Sequence, residues 1–320
     1  MEGDTRGRGS RVLDGLGRPP RRLLVLGAGA AALALLVDGG LRLDVPRRPA
    51  PAPTRRPAAD EQLLLEAVAD LDEIVAAEDD VLSATGSDTL VRRLRALNRD
   101  QLRVLRGRLT NAGVPTSVIE AAVTARTTSA RRTSAPVRTR SALATLLAAP
   151  AAGRWEALTT ATDDARELLA AAYAQRLAAA ALLGHPVEIS TTPSPARPAV
   201  VARTQPLVYA FEVVAAQSAG SQRRRAEATL AELNRLALAV SGTASTTPAG
   251  WALPFPVTTP EAARRLATAV LRSAVDGATA AAGDRPTPAS LEDVARWSAN
   301  VQALAVDWDL PLTAFPGADA

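Results

Sequence analysis

His185 is the only imidazole in this chain of 320 residues, which contains neither cysteine nor lysine. That inventory excludes a good deal of chemistry. Without a thiolate there is no soft metal ligand, redox pair or thiol nucleophile. Without lysine there is no Schiff base and no P-loop cation. A serine nucleophile would have to draw on His185, with Glu188 nearby. Both residues fall in a Gly-His-Pro turn and the linker after it, not in a braced pocket. No catalytic residue, cofactor or metal site is assigned on this reading.

The other residues that could carry chemistry lie on helical patterns. A dinuclear centre in a four-helix bundle takes a Glu from each of two helices and Glu-x-x-His from the other two, because i and i+3 project to one face. No Glu-x-x-His occurs. The core-facing polar candidates are Asn98 with Gln101, and Asn234, and amides are poor ligands for iron or manganese. Glu212 is the only acid between Ala199 and Ala219. A rim position beside an arginine such as Arg203 or Arg235 suits it, since a buried acid without a partner is costly. The alternative is a carboxylate working inside the bundle. Glu66, Asp70 and Glu73, at i, i+4 and i+7, read as a solvated acidic face.

Arg92, Arg95, Arg99, Arg103 and Arg106 form a basic stripe opposite Val91, Leu94, Leu102, Leu105 and Leu109. It suits a solvated face, or one meeting the acidic stripe of the preceding helix. The functional alternative is contact with anionic headgroups or envelope polymer. In Trp251 to Val257 two prolines stiffen an extended loop, and Trp251 and Phe255 can cap a bundle end. A ligand-binding lid is the other reading of that segment.

Helices must position these groups. Hydrophobic residues make up 47% of the chain but aromatics only 3%, so cores must be built largely from alanine and leucine. Alanine is the best helix former, and alternation of Val, Ile and Thr is scarce. The fold class is therefore all-α. Leu64, Val68, Leu71, Val75 and Leu82 line one face of a first helix beginning at Ala59-Asp60-Glu61. Gly86 breaks it, Ser87 or Asp88 caps the next, and Asn111-Ala112-Gly113 stops that one before Pro115. A weaker helix is expected over Thr116–Ala125, a loop over Thr127–Arg140, and a long helix over Arg154–Leu183. Residues 185–198 read as a linker. Four helices follow, over Ala199–Ala219, Ser221–Val240, Pro260–Ala282 and Pro288–Asp307, with prolines at N1-like positions in the last two. Short connections make these a four-helix bundle, and residues 59–184 a second, degenerate one in tandem. Leu-x-x-Leu-Asn-Arg-x-x-Leu occurs at Leu94–Leu102 and again at Leu230–Leu238, on the second helix of each half, which fits a duplication.

The N-terminal segment reads as an address. Residues 1–22 are basic, and Leu23 to Val37 is an uncharged run of fifteen apolar or small residues, so 23–43 reads as a signal peptide or signal anchor. Residues 44–58 are a Pro/Arg-rich spacer. Residues 1–58 carry a balance of +6 and residues 59–320 a balance of −2, so the basicity belongs to the leader and spacer. Nucleic-acid binding by the body is not supported, since that needs a basic stripe or face on a basic body. The expected placement is the cell membrane through the N-terminal segment, with the body outside the cytoplasm, or export if the segment is cleaved.

The second half resembles a ferritin-like domain-of-unknown-function family of high-GC bacterial envelope proteins. The resemblance is carried by Trp251-Ala252-Leu253-Pro254-Phe255-Pro256-Val257, by Pro260-Glu261-Ala262-Ala263-Arg264-Arg265-Leu266, and by Leu207 to Ala216. It covers residues 199–308, within a domain placed at 199–310 before a tail at 311–320. The first half is more loosely similar to the ferritin-like region preceding that domain in lipoprotein relatives. There a His-x-x-His pair falls where this chain has Asn98 and Gln101, and a lipobox cysteine is present that this chain lacks. The resemblance implies no activity that transfers. The expected role, taking the chain as a whole, is a noncatalytic envelope module, structural or binding a protein partner, with no cofactor. Binding of a small molecule or cation inside the C-terminal bundle, near Glu212 and Trp251, is the alternative.

Overall fold

Threonine caps the start of α-helices at four places. In the computed structural model, which describes residues 55–133, 136–149, 153–241 and 250–318, Thr139, Thr162, Thr259 and Thr287 each accept a backbone N–H at a helix start. At two of these starts a proline follows at the first helical position, where a missing N–H costs nothing. The helices are α1 (Glu61–Thr85), α2 (Thr89–Asn111), α3 (Thr116–Thr133), α4 (Arg140–Ala148), α5 (Arg154–Thr159), α6 (Asp163–Leu182), α7 (Arg197–Gln217), α8 (Gly220–Ser241), α9 (Pro260–Asp276) and α10 (Pro288–Asp307), with a 3₁₀ turn at Thr279–Ala282. No strand occurs among the described residues, so the all-α class holds.

The expected loop over Thr127–Arg140 is mostly helix. α3 runs on to Thr133 and α4 opens at Arg140. Local propensity is overridden by packing: Ile119 and Val123 of α3 enter the core, and Arg126 binds Asp70 and Glu73 of α1. The single long helix expected over Arg154–Leu183 is two. Thr162 interrupts it by capping α6, and Asp60 accepts from the Thr162 backbone N–H at 3.2 Å. Asp88, not Ser87, caps α2 and also pairs with Arg140. α9 ends at Asp276, short of Ala282.

α1 packs on α2, α3 and α4; α7 packs on α8 and α9; α10 packs on α9 and α6, which joins the two sequence halves within one compact unit from Arg55. α6 and α10 run in the same direction. Ala171 shares a core with Leu291, Ala174 and Ala178 share one with Ala295 and Ala299, and Asn300 reaches the Val187 carbonyl beyond the end of α6. The stretch after α10 is built into the body: Leu310 joins the C-terminal core, Leu312 packs on the middle of the molecule, and Phe315 enters the core of α1, α2 and α6. A Cβ at Gly317, whose φ is +72°, would lie 2.9 Å from the Asp276 carbonyl oxygen, so a side chain there would collide with backbone. The basic N-terminal region, the segment 23–43 expected to be a signal peptide or signal anchor, and most of the expected spacer lie outside the described residues. Among those described, no helix is long and apolar enough to cross a membrane.

Candidate functional site

The apolar stripe of α2 is broken in its middle by amides. Leu94 precedes and Leu105 follows Asn98 and Gln101, and all four side chains are buried. The break separates two cores. One gathers Leu64, Leu71, Leu105, Leu109 and Leu168; the other gathers Ile74, Val81, Val91, Leu94 and Leu147. Asn98 Nδ2 donates to Glu78 Oε1 of α1 at 2.7 Å. Gln101 Nε2 donates to Gln175 Oε1 of α6 at 3.1 Å and to the Ala314 carbonyl. Glu78 and Gln175 are wholly buried as well. Burial pushes the Glu78 carboxyl up to about 8, with the Asn98 hydrogen bond pulling the other way, so the group holds its proton at neutral pH. Glu78 Oε2, Gln101 Oε1 and Gln175 Nε2 have no hydrogen-bond partner among the described residues.

A second buried cluster adjoins this layer. Arg154, at the start of α5, reaches both Asp70 of α1 and the Tyr173 hydroxyl of α6, and its guanidinium lies over the Tyr173 ring. Burial works to lower the Arg154 guanidinium, but Tyr173 and Asp70 together carry it above its ordinary value. Burial raises the Tyr173 hydroxyl against the pull of Arg154, which keeps it protonated. Arg176 of α6 donates to the carbonyls of Leu147, Leu146 and Ala149, satisfying the C-terminal end of α4. Burial lowers that guanidinium. The solvated-face reading therefore fails for Asp70, which is buried and bound by Arg154 and Arg126 because α3 and α5 cover it.

The expected site residues separate. Asn98 and Gln101 occupy the core as their faces suggested. Asn234 does not: it is exposed on α8, whose buried face is Ala226, Thr229, Leu233, Leu236 and Val240. Glu212 is exposed on α7 and does not enter the bundle interior. Trp251 is half-buried, its ring 5.7 Å from that of Tyr209, while Phe255 packs at the edge of the C-terminal core beneath Arg265. The basic stripe of α2 meets acids of α1, but none of the ion pairs among the described residues joins it to the expected stripe of Glu66, Asp70 and Glu73. Arg95 and Arg99 pair with Asp79, Arg106 pairs with Asp72 and Glu120, and Arg103 pairs with Asp100 on its own helix. Arg92 is exposed.

Sequence reasoning missed Glu78, Arg154, Tyr173, Gln175 and Arg176. The only signals were Glu78 falling four residues after Ile74, on the same face, and Gln175-Arg176 interrupting the alanines of α6. His185 closes α6 through its backbone N–H, bonded to the Ala180 carbonyl at 2.9 Å after Gly184 at φ +94°. Its ring lines a groove of about 830 Å³ with Glu188, Glu232, Arg235 and Asp307. Burial raises the Asp307 carboxyl there against the pull of Arg225.

Among the described residues no three His, Asp or Glu side chains converge as a metal ion would require. What the buried polar groups do is connect α1, α2, α4, α5, α6 and the segment after α10 to one another. Comparison with family models, with curated proteins and with solved structures finds no match to this chain.

Proposed function

We propose that the body is a noncatalytic scaffold of two degenerate ferritin-like bundles, tethered to the membrane through the N-terminal segment, with the body outside the cytoplasm. In the cell envelope it holds a protein partner or serves a structural role. The observation that carries this reading is the use made of Asn98 and Gln101. Their amides bridge to Glu78, Gln175 and the Ala314 carbonyl, so the polar centre of the first half fastens helices. A second support is the C-terminal core, closed around Phe211, Trp297 and Trp308, whose indole N–H groups end on Thr204 and Thr229.

Alkaline phosphatase fused after residue 58 tests the placement, and an active fusion is expected. Metal analysis of the purified chain, expressed with iron and manganese supplied, tests the scaffold reading, and less than one-tenth of an ion per chain is expected. Proximity labelling from the body in the native cell should return envelope proteins. An inactive fusion overturns the placement, and two ions per chain overturn the scaffold.

A further inference from the structure

α6 and α10 run side by side, and toward their N-terminal ends they face each other largely with alanine, together with Leu291 and Val294. Ala170 and Ala174 on α6 oppose Val294 and Ala295 on α10. The alanines leave a cleft of about 450 Å³ there, bordered also by the 3₁₀ turn and by Pro316. That volume lies in the range of small-molecule sites, and the cleft sits at a seam between two halves, where such sites tend to occur.

Its mouth is acidic. Asp163, Glu167 and Asp284 line it, against Arg166 alone. Arg166 is already engaged by Asp163 and by the Ala161 carbonyl. Among the described residues Glu167 receives a single 3.5 Å contact, from the Thr279 hydroxyl, which makes its better bond to the Gly317 carbonyl at 3.1 Å. Asp284 is exposed and has no ion pair among the described residues. The positive end of α6 is offset by Asp163 and Asp164 in its first turn. Two uncompensated carboxylates thus stand over an aliphatic floor.

We propose that this cleft binds a small aliphatic cation, its alkyl chain on the alanine floor and its ammonium held between Glu167 and Asp284. Charge complementarity sets the class of ligand. Aliphatic carboxylates of the same length meet like charge at the mouth, and neutral alcohols gain only the floor. The site is distinct from the buried polar layer and does not depend on the scaffold role.

The test is calorimetric titration of the full chain, held in a neutral detergent, with hexylammonium, hexanol and hexanoate. Hexylammonium should bind saturably at one site per chain, at least tenfold more tightly than hexanoate. The double variant Glu167→Gln/Asp284→Asn should lose at least tenfold for hexylammonium and leave hexanol unchanged. Because the chain has no cysteine, Ala170→Cys gives a single thiol reporter in the floor, and hexylammonium should slow its maleimide labelling. Equal affinity for hexanoate, binding unaltered in the double variant, or labelling unaffected by ligand each overturns the proposal. Asp284→Asn alone, in the exposed connection before α10, keeps the charge arm of the test available should the double variant not fold.

Discussion

The two ends of the molecule solve the same packing problem with different materials. The C-terminal helices close a largely apolar core, in which Phe211 meets Trp308 edge to face, Thr204 and Thr229 accept the indole N–H groups, and one buried ion pair, Arg197 with Asp293, ties α7 to α10. The N-terminal helices have few aromatics and divide their core into two apolar layers with amides and a carboxyl between them. Apolar packing is nondirectional and tolerates repacking, whereas a buried polar layer fits only one register because each misplaced group is left unsatisfied. The difference suggests that leucine and aromatics specify the C-terminal bundle by volume, while α1, α2 and α6 are indexed to one another by hydrogen bonds.

The sharpest way to break this contrast is at Asp70 and Arg154. Removing one partner strands a charge in the core, so Asp70→Ala should cost about 3–5 kcal/mol of unfolding free energy in denaturant melts. Replacing both, as Asp70→Leu/Arg154→Met, should recover part of that loss, because no charge is left stranded, although the Tyr173 hydroxyl loses its Arg154 donor; Arg126 keeps Glu73 as its partner. Phe211→Ala in the other core should cost a similar amount, about 3–5 kcal/mol, through lost transfer energy and a cavity. If Asp70→Ala costs under about 1 kcal/mol, charge pairing is not what fixes the first half.

The sequence carried the fold class and most of the helix boundaries, since caps and breakers act locally: Gly86, Gly113, Gly184, Pro260 and Pro288 fall where the helices turn over or begin. It did not carry α4, or the length of α3, because a Thr/Ser/Arg-rich stretch becomes helical only once Arg126 finds Asp70 and Glu73 across 53 or more residues. The polar site was half legible. Asn98 and Gln101 stood out on an apolar stripe, but Glu78 looked like one more acid on an acid-rich helix, and Arg154 and Gln175 had no local mark at all. Partnership at long range is what makes those residues buried, and no periodicity records it.

Next in size is the pH response of the divided core. The folded chain holds the Glu78 proton more tightly than the unfolded chain does. The stability tied to it is therefore complete below pH 4.5 and is lost as the pH rises through about 8. The slope is at most about 1.4 kcal/mol per pH unit across that window. Glu78→Gln keeps a neutral group of the same shape and should remove this part of the slope, so that the difference between variant and parent grows in the variant's favour from pH 5 to pH 8. Parallel profiles for the two chains would mean that Glu78 does not titrate in the core.

The finest test uses the repeated Leu-x-x-Leu-Asn-Arg-x-x-Leu segment, which places one asparagine in each region. The same nine-residue pattern is turned differently: Asn98 faces the core while Asn234 faces out, and the final leucine is half-buried in α2 but largely exposed as Leu238 in α8. If the pattern marked equivalent positions, the two asparagines would respond alike. The burial predicts that they do not. Asn98→Ala leaves the Glu78 carboxyl without its donor and should cost about 1–3 kcal/mol. Asn234→Ala on the open face should stay within about 0.5 kcal/mol of the parent. Thermal melts of the two single variants decide between these outcomes, and equal losses would restore the repeat as a structural equivalence that the packing of α8 now denies.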